Sequence, residues 1–362
     1  MLHRHLELPA ATRNLRELRR PSLHLPPIAA PAPNQDQARL GLRQSAPPPR
    51  LAPLGAVLFR ELIAAETVDV LKRNGIRSIL LKGPAIARWL YHSSTARVYG
   101  DSDLLVSPDD FDASQETIAA LGYRPCGEQL PGDRPWSARY FVRPGDGTAV
   151  DLHLTLTGIE TSPSRAWTIL SERTEVMRLR GVDIEVLNEP ARALHIALHA
   201  ADHGAHTPRP LEDLTAALAA LHEDLWRQAA SLASQLEATA AFAAGLRLHP
   251  EGAQLAAHLG LPPNRSVEVA LRASPSAGHA LGLKWLLETP GLRAKAALLR
   301  HKLAPPPAYM RTCSALASKG TGGLALAYLW RPLHLAASAP PALAALRRAR
   351  RATLHHNSKC PN

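Results

Sequence analysis

Asp101 and Asp103 open the apolar run Asp-Ser-Asp-Leu-Leu-Val over 101–106, separated by a single residue. On an extended strand, residues i and i+2 project from the same face, so the two carboxylates stand side by side. Such a pair repels itself, and one member takes up a proton unless a cation lies between them. Divalent-metal binding uses this arrangement, and oxygen ligands suit Mg²⁺, which is held by one or two carboxylates together with substrate phosphates. Upstream, Ile79-Leu-Leu-Lys82 runs into Gly83, where the missing side chain would let a phosphate approach the backbone. Downstream, Asp151 lies within the apolar segment 149–156. Three carboxylates on neighbouring strands beside a glycine turn form a constellation suited to metal-dependent nucleotidyl transfer. The plainer uses stay open: Asp101 and Asp103 closing a strand end in solvent, and Asp151 pairing with an arginine.

The elements that must position these residues follow from local patterning. Apolar residues Val57, Leu58, Leu62, Ile63, Val68, Val70 and Leu71 predict a helix over 55–74, with Gly75 as its stop. A strand over 76–82 follows, then a short helix from Pro84 to Tyr91. Ser107-Pro108-Asp109-Asp110 has the form of a helix N-terminus, so Asp109, Asp110 and Asp112 are assigned to capping of a helix that reaches Leu121. Two apolar runs, 140–142 and 149–156, flank Pro144-Gly-Asp-Gly147 and predict a hairpin with Asp151 on its second arm. A further hairpin joins 175–179 to 182–187 at Gly181. From Glu189 the sequence turns to helices rich in Ala and Leu, predicted over 190–203, 211–222, 223–245 and 251–259. His195, His199 and His203 recur every fourth residue and line one face of the first of these. Without a nearby Cys or an HExxH pattern they read as an interior, hydrogen-bonded face rather than a zinc site.

The ordered segments LLKGPAIARWLY (80–91), RVYGDSDLLV (97–106) and VDLHLTL (150–156) resemble the uncharacterised nucleotidyltransferases of the DNA polymerase beta superfamily. The likeness continues through ALHIALHAADHG (193–204), LEDLTAAL (211–218) and PPPAYMR (305–311). It implies an α+β fold, a nucleotidyltransferase-like mixed sheet with flanking helices followed by an α-helical domain. It also implies transfer of a nucleoside monophosphate from an NTP to an acceptor hydroxyl or phosphate. Asp101 and Asp103 would then bind two Mg²⁺ ions bridging the triphosphate, and Asp151 would complete the catalytic metal site and orient or deprotonate the acceptor. Lys82, Gly83 and Arg97 would contact the nucleotide phosphates. One departure stands out: the superfamily turn is usually Gly-Ser or Gly-Gly, whereas Gly83 precedes Pro84, which removes a backbone donor but suits the first turn of a helix. The acceptor is not legible, and small-molecule, peptide, protein or sugar acceptors all fit. Two other functions compete: a catalytically inactive nucleotide-binding scaffold, and a nucleic-acid modifying transferase.

Charge divides the chain into four expected parts. Residues 1–50, with 8 Arg and 3 acids, read as a disordered basic arm rich in Pro and Arg. Residues 51–188 form the expected α/β catalytic domain and 189–289 an α-helical one. Residues 290–362 form a basic helical or extended tail; no Asp or Glu follows Glu288, while 12 Lys and Arg do. Since the chain's net charge is +11, the middle is mildly acidic, and attraction to nucleic acid or anionic lipid belongs to the ends. Within the tail, 343–353 predicts a basic amphipathic helix carrying Arg347, Arg348, Arg350 and Arg351. Few aromatic residues argue against a single-strand binding surface. Cys126, Cys313 and Cys360 are odd in number and widely spaced, which points to a reducing cytoplasm. A cytoplasmic protein, peripheral at the membrane through its basic ends, is the expectation.

Overall fold

The computed structural model describes residues 53–91, 97, 99–126, 138–205, 207–263, 267–272, 277–305, 307, 310, 311, 314–317 and 319–357. The arm expected over 1–50 lies outside them, as do Cys313 and Cys360. The first helix, α1 (Pro53–Arg73), ends one residue before a turn in which Gly75 takes φ 76°, a conformation that favours glycine. Strand β1 (Ser78–Leu80) follows, then α2 (Pro84–Leu90) and β2 (Asp101–Val106). A 3₁₀ turn over Pro108–Asp110 leads into α3 (Phe111–Ala120), and the Ser107 hydroxyl accepts from the Asp109 N–H, the capping role expected of this segment.

The remaining strands are β3 (Arg124–Pro125), β4 (Ala138–Val142), β5 (Ala149–His153), β6 (Thr174–Leu179) and β7 (Val182–Leu187), with α4 (Pro163–Ser171) between β5 and β6. Both expected hairpins form: β4 pairs antiparallel with β5, and β6 with β7 around Arg180-Gly181, both at positive φ. One mixed sheet results, in the order β3-β4-β5-β2-β1-β7-β6, with β2 parallel to β5 and β1 parallel to β7. The fold is α+β.

Two-residue alternation sorts the sheet's side chains onto two cores. Leu80, Leu104, Val106, Val150 and Leu152 pack with Ile63, Val68 and Leu71 of α1 and Ile118 of α3. Ile79, Leu81 and Leu105 point the other way and pack with α5 (Glu189–His203), through Leu194, Ile196 and Leu198. Because Asp101, Asp103, Asp151 and His153 share the odd parity of Leu105, they belong to the face that α5 covers.

The helical region continues with α6 (Pro208–Ala220), α7 (Glu223–Gln235), α8 (Thr239–Leu246) and α9 (Pro250–His258). The single helix expected over 223–245 is therefore two. Leu236, Glu237 and Ala238 interrupt it, with Glu237 at φ 55°, a left-handed conformation that a continuous helix excludes. The break lets Phe242 of α8 fold back beside Trp226 of α7, their ring centroids 6.3 Å apart. Beyond these lie α10 (Val267–Arg272), α11 (Ala277–Glu288), α12 (Leu292–Leu303) and α13 (Gly320–Asn357). The helix expected over 343–353 is the end of α13, which passes through Pro332, Pro340 and Pro341. Its Ala- and Leu-rich flanks favour helix. Packing of Ala342, Ala345, Leu346 and Ala349 against Leu271, Ala280 and Leu281 holds its second half.

Candidate active site

Parallel pairing of β2 with β5 sets Asp103 directly opposite Asp151, with Asp101 opposite Ala149 and Leu105 opposite His153. The first three residues were expected to converge, and they do, on a sheet face otherwise filled with Leu and Ile. Asp103 is buried, 3% exposed, whereas Asp101 and Asp151 keep partial exposure. A carboxylate removed from water in this way requires cationic partners. Lys82 supplies one, its Nζ 2.6 Å from Asp103 Oδ1. His153 supplies the other, with Nε2 3.1 Å from Asp151 Oδ2 and 3.4 Å from Asp103 Oδ1.

The electrostatics of the cluster are uneven. Burial works to raise the Asp103 carboxyl, but Lys82 and His153 hold it well below the usual carboxylate range. Asp101 goes the other way: burial, and then the neighbouring Asp103 charge, push it up despite Lys82. Burial opposes the charge on Lys82, yet the three aspartates hold its pKa above the ordinary lysine value. Against a similar burial penalty, Asp151 and Asp103 raise His153 to about 9, so the imidazole is cationic at neutral pH. Two cations thus serve three carboxylates, and Asp101 is the member left short of positive charge.

That deficit is what a divalent cation would remove. Ligand atoms of Asp103, Asp151 and His153 lie within 4.8 Å of one another. The donor set is two carboxylates and an imidazole, and the carboxylate oxygens are the donors that Mg²⁺ prefers. Asp103 and Asp151 have oxygens placed for such an ion, with Asp101 two residues along the same strand face. His153 was given no role from the sequence. The i, i+2 argument applied to Asp101 and Asp103 finds it equally well, since it stands two residues after Asp151 on one strand.

Gly83 lies between Lys82 and α2, at φ 62°. Its missing side chain has a different neighbour from the phosphate expected: an added Cβ would stand 3.2 Å from Cδ2 of Tyr99. Pro84 is the first residue of α2, as expected of its fixed φ. Arg97 is buried, and its Nε and Nη2 each donate to Asp213 of α6 at 2.7 Å. The Tyr91 hydroxyl donates to the same carboxylate at 2.8 Å. The Arg97 Nη1 has no partner among the described residues. Asp213 was not singled out from sequence, because its partner is 116 residues away.

The histidine face of α5 packs behind the site. His195 is buried, and its neighbour in space is the Leu81 backbone. Burial, then the Lys82 charge, depress His195 to about 3, and burial likewise holds His199 well below the ordinary value, so both are neutral. His199 and His203 stack edge to face with centroids 4.5 Å apart. Among the described residues these rings join no cluster of metal-binding geometry.

The sequence signature of a family described as uncharacterised nucleotidyltransferases matches residues 59–251, over half of the chain. The chain belongs to this family. The match takes in every residue of the carboxylate site and ends before the PPPAYMR segment at 305–311. No curated protein matches. Among solved structures, the chain is similar to the antibiotic-resistance factor ANT(2'')-Ia, at 14% identity and a TM-score of 0.34, covering 52% of this chain and 96% of that one. It is also similar to an antigenic nucleotidyltransferase-like protein from Paracoccidioides brasiliensis, at 15% identity and a TM-score of 0.31, covering 51% and 93%. Membership of a nucleotidyltransferase family assigns a transferase in general, with a nucleotide as substrate.

Proposed function

We propose that this nucleotidyltransferase moves a nucleoside monophosphate from an NTP to an acceptor hydroxyl or phosphate with Mg²⁺ as cofactor. The observation that carries the reading is Asp103 facing Asp151 across parallel strands, with Asp101 two residues upstream on the same face. Asp101, Asp103 and Asp151 would hold the metal, two ions in this reading. Bound Mg²⁺ would neutralise charge on the triphosphate and the departing pyrophosphate. Asp151, the more exposed of the facing pair, orients the acceptor hydroxyl and accepts its proton. His153 fixes the Asp151 carboxylate through its 3.1 Å contact. Lys82 places a positive charge beside the carboxylates, suited to a phosphate oxygen, and the Gly83 turn next to it would receive the triphosphate. Arg97 contributes through Nη1, its other two donor groups being held by Asp213.

In this reading 51–188 carries the chemistry and 189–289 covers its back, inside a reducing cytoplasm. The test is pyrophosphate release with Mg²⁺ and each of the four NTPs, using an extract fraction as the acceptor source. Asp151→Asn is expected to lower turnover about a hundredfold or more while affinity for a nonhydrolysable NTP changes little. NTP binding without pyrophosphate release from any fraction would instead indicate an inactive scaffold, and release dependent on added RNA or DNA a nucleic-acid modifying enzyme.

A further inference from the structure

Helix α13 buries one face and leaves the opposite one apolar and bare. At 3.6 residues per turn, the buried Ala327, Ala342, Ala345, Leu346 and Ala349 fall on one side of the helix. Leu326, Leu329, Trp330 and Leu333 fall within an arc of about 100° on the other side. These four are 53%, 72%, 61% and 62% exposed. The same arc, carried about 27 Å along the axis from Trp330 to Arg348, presents Arg347, Arg348 and Arg351, all exposed. Ala327 before the prolines and Ala342, Ala345, Leu346 and Ala349 after them fall on the same side, which leaves the opposite face exposed along the helix. Large bare side chains in a row are unusual on a protein surface and mark a contact.

We propose that this face of α13 lies on an anionic lipid surface, with Trp330 and its leucines at the acyl boundary and the arginines among the headgroup phosphates. Charge selects the occupant: no Asp or Glu follows Glu288, so the region offers positive charge with no acidic partner of its own. Helix composition selects the geometry, because among the described residues no helix is long and apolar enough to cross a membrane. An in-plane helix with Trp and Leu on one face and Arg beside them meets the requirement for interfacial binding. Placed there, the transferase would work beside the membrane, and acceptors held in or near the lipid surface would reach it first.

The experiment is flotation of the full chain with vesicles of phosphatidylcholine alone and of phosphatidylcholine mixed with phosphatidylglycerol. Wild type is expected to float with the anionic vesicles only. Leu329→Asp/Trp330→Asp is expected to lower partitioning about tenfold or more. Each arginine removed in Arg347→Gln, Arg348→Gln and Arg351→Gln lowers it by about fivefold. All of these positions are exposed, and circular dichroism checks that the fold is retained. Failure of wild type to float, or flotation of both variant sets equal to that of wild type, would overturn the proposal. A dimer seen by light scattering and lost in Leu329→Asp/Trp330→Asp, with lipid binding unchanged, would give the face to a second copy and overturn it as well. Lipid binding by a chain that transfers no nucleotide would uphold this proposal and sink only the catalytic reading on which its acceptor statement rests.

Discussion

Asp101 is the carboxylate whose behaviour separates a metal site from a structural ion cluster. Lys82 and His153 both contact Asp103, and His153 also contacts Asp151, but the charge on Asp101 is opposed by burial and by Asp103. A carboxyl raised in the folded state binds a proton that the unfolded chain has released. Stability of the metal-free protein therefore falls as pH rises from the ordinary carboxylate value through the raised one. Asp101→Asn removes that penalty. In EDTA at neutral pH the variant is expected to be more stable than wild type by about 1 kcal/mol, with a flatter profile of stability against pH. Added Mg²⁺ raises the melting temperature of wild type and leaves the variant little changed, while nucleotide transfer by the variant is lost. A structural ion cluster predicts the reverse, with lower stability in the variant at every pH. The Asp-x-Asp pair was legible because its spacing is a strand spacing. His153 shares that spacing with Asp151 and was passed over because a histidine between leucines carries no sign of its charge partners until the strands are paired.

At the scale of elements, punctuation decided what could be read. Glycine at the turns, proline at helix starts and Ser107 at a cap predicted both hairpins, α1, α2 and α3 nearly as they stand. What sequence did not disclose was partnership across distance. The parallel pairing of β2 with β5, which joins Asp103 to Asp151, and the Arg97–Asp213 pair both bring together segments with no local signal of each other. The division of 223–245 into α7 and α8 was missed because Glu237 is not a residue that announces a left-handed turn. Close crossing of α8 over α5 is equally silent. A Cβ on Gly245 would stand 1.9 Å from the Ala197 carbonyl oxygen, so the two backbones touch. Gly245→Val is expected to destabilise the protein by about 3 kcal/mol, read from chemical denaturation. Leaving stability unchanged would show that these helices do not meet as described.

For the whole molecule, the boundary expected at residue 188 marks a change of texture rather than a gap in packing. Leu81 and Leu105 from the sheet share a core with Leu194 and Leu198 from α5, and the carboxylates sit on the face those helices cover. The helical region thus forms the back of the site, and its neutral, buried His195 meets the Leu81 backbone just before Lys82. Family membership extends over both regions, in keeping with one functional unit from 59 to 251. The proposed reaction transfers the α-phosphoryl group with its nucleoside, and isotope position tests this most directly. Wild type and Asp103→Asn, each shown to be folded, are incubated with Mg²⁺, an extract fraction and NTP labelled at either the α- or the γ-phosphate. The α-label is predicted to pass to an acceptor and the γ-label to leave as pyrophosphate, with Asp103→Asn slower by about a hundredfold to a thousandfold. Passage of the γ-label to an acceptor, or equal rates in the two proteins, would contradict the account.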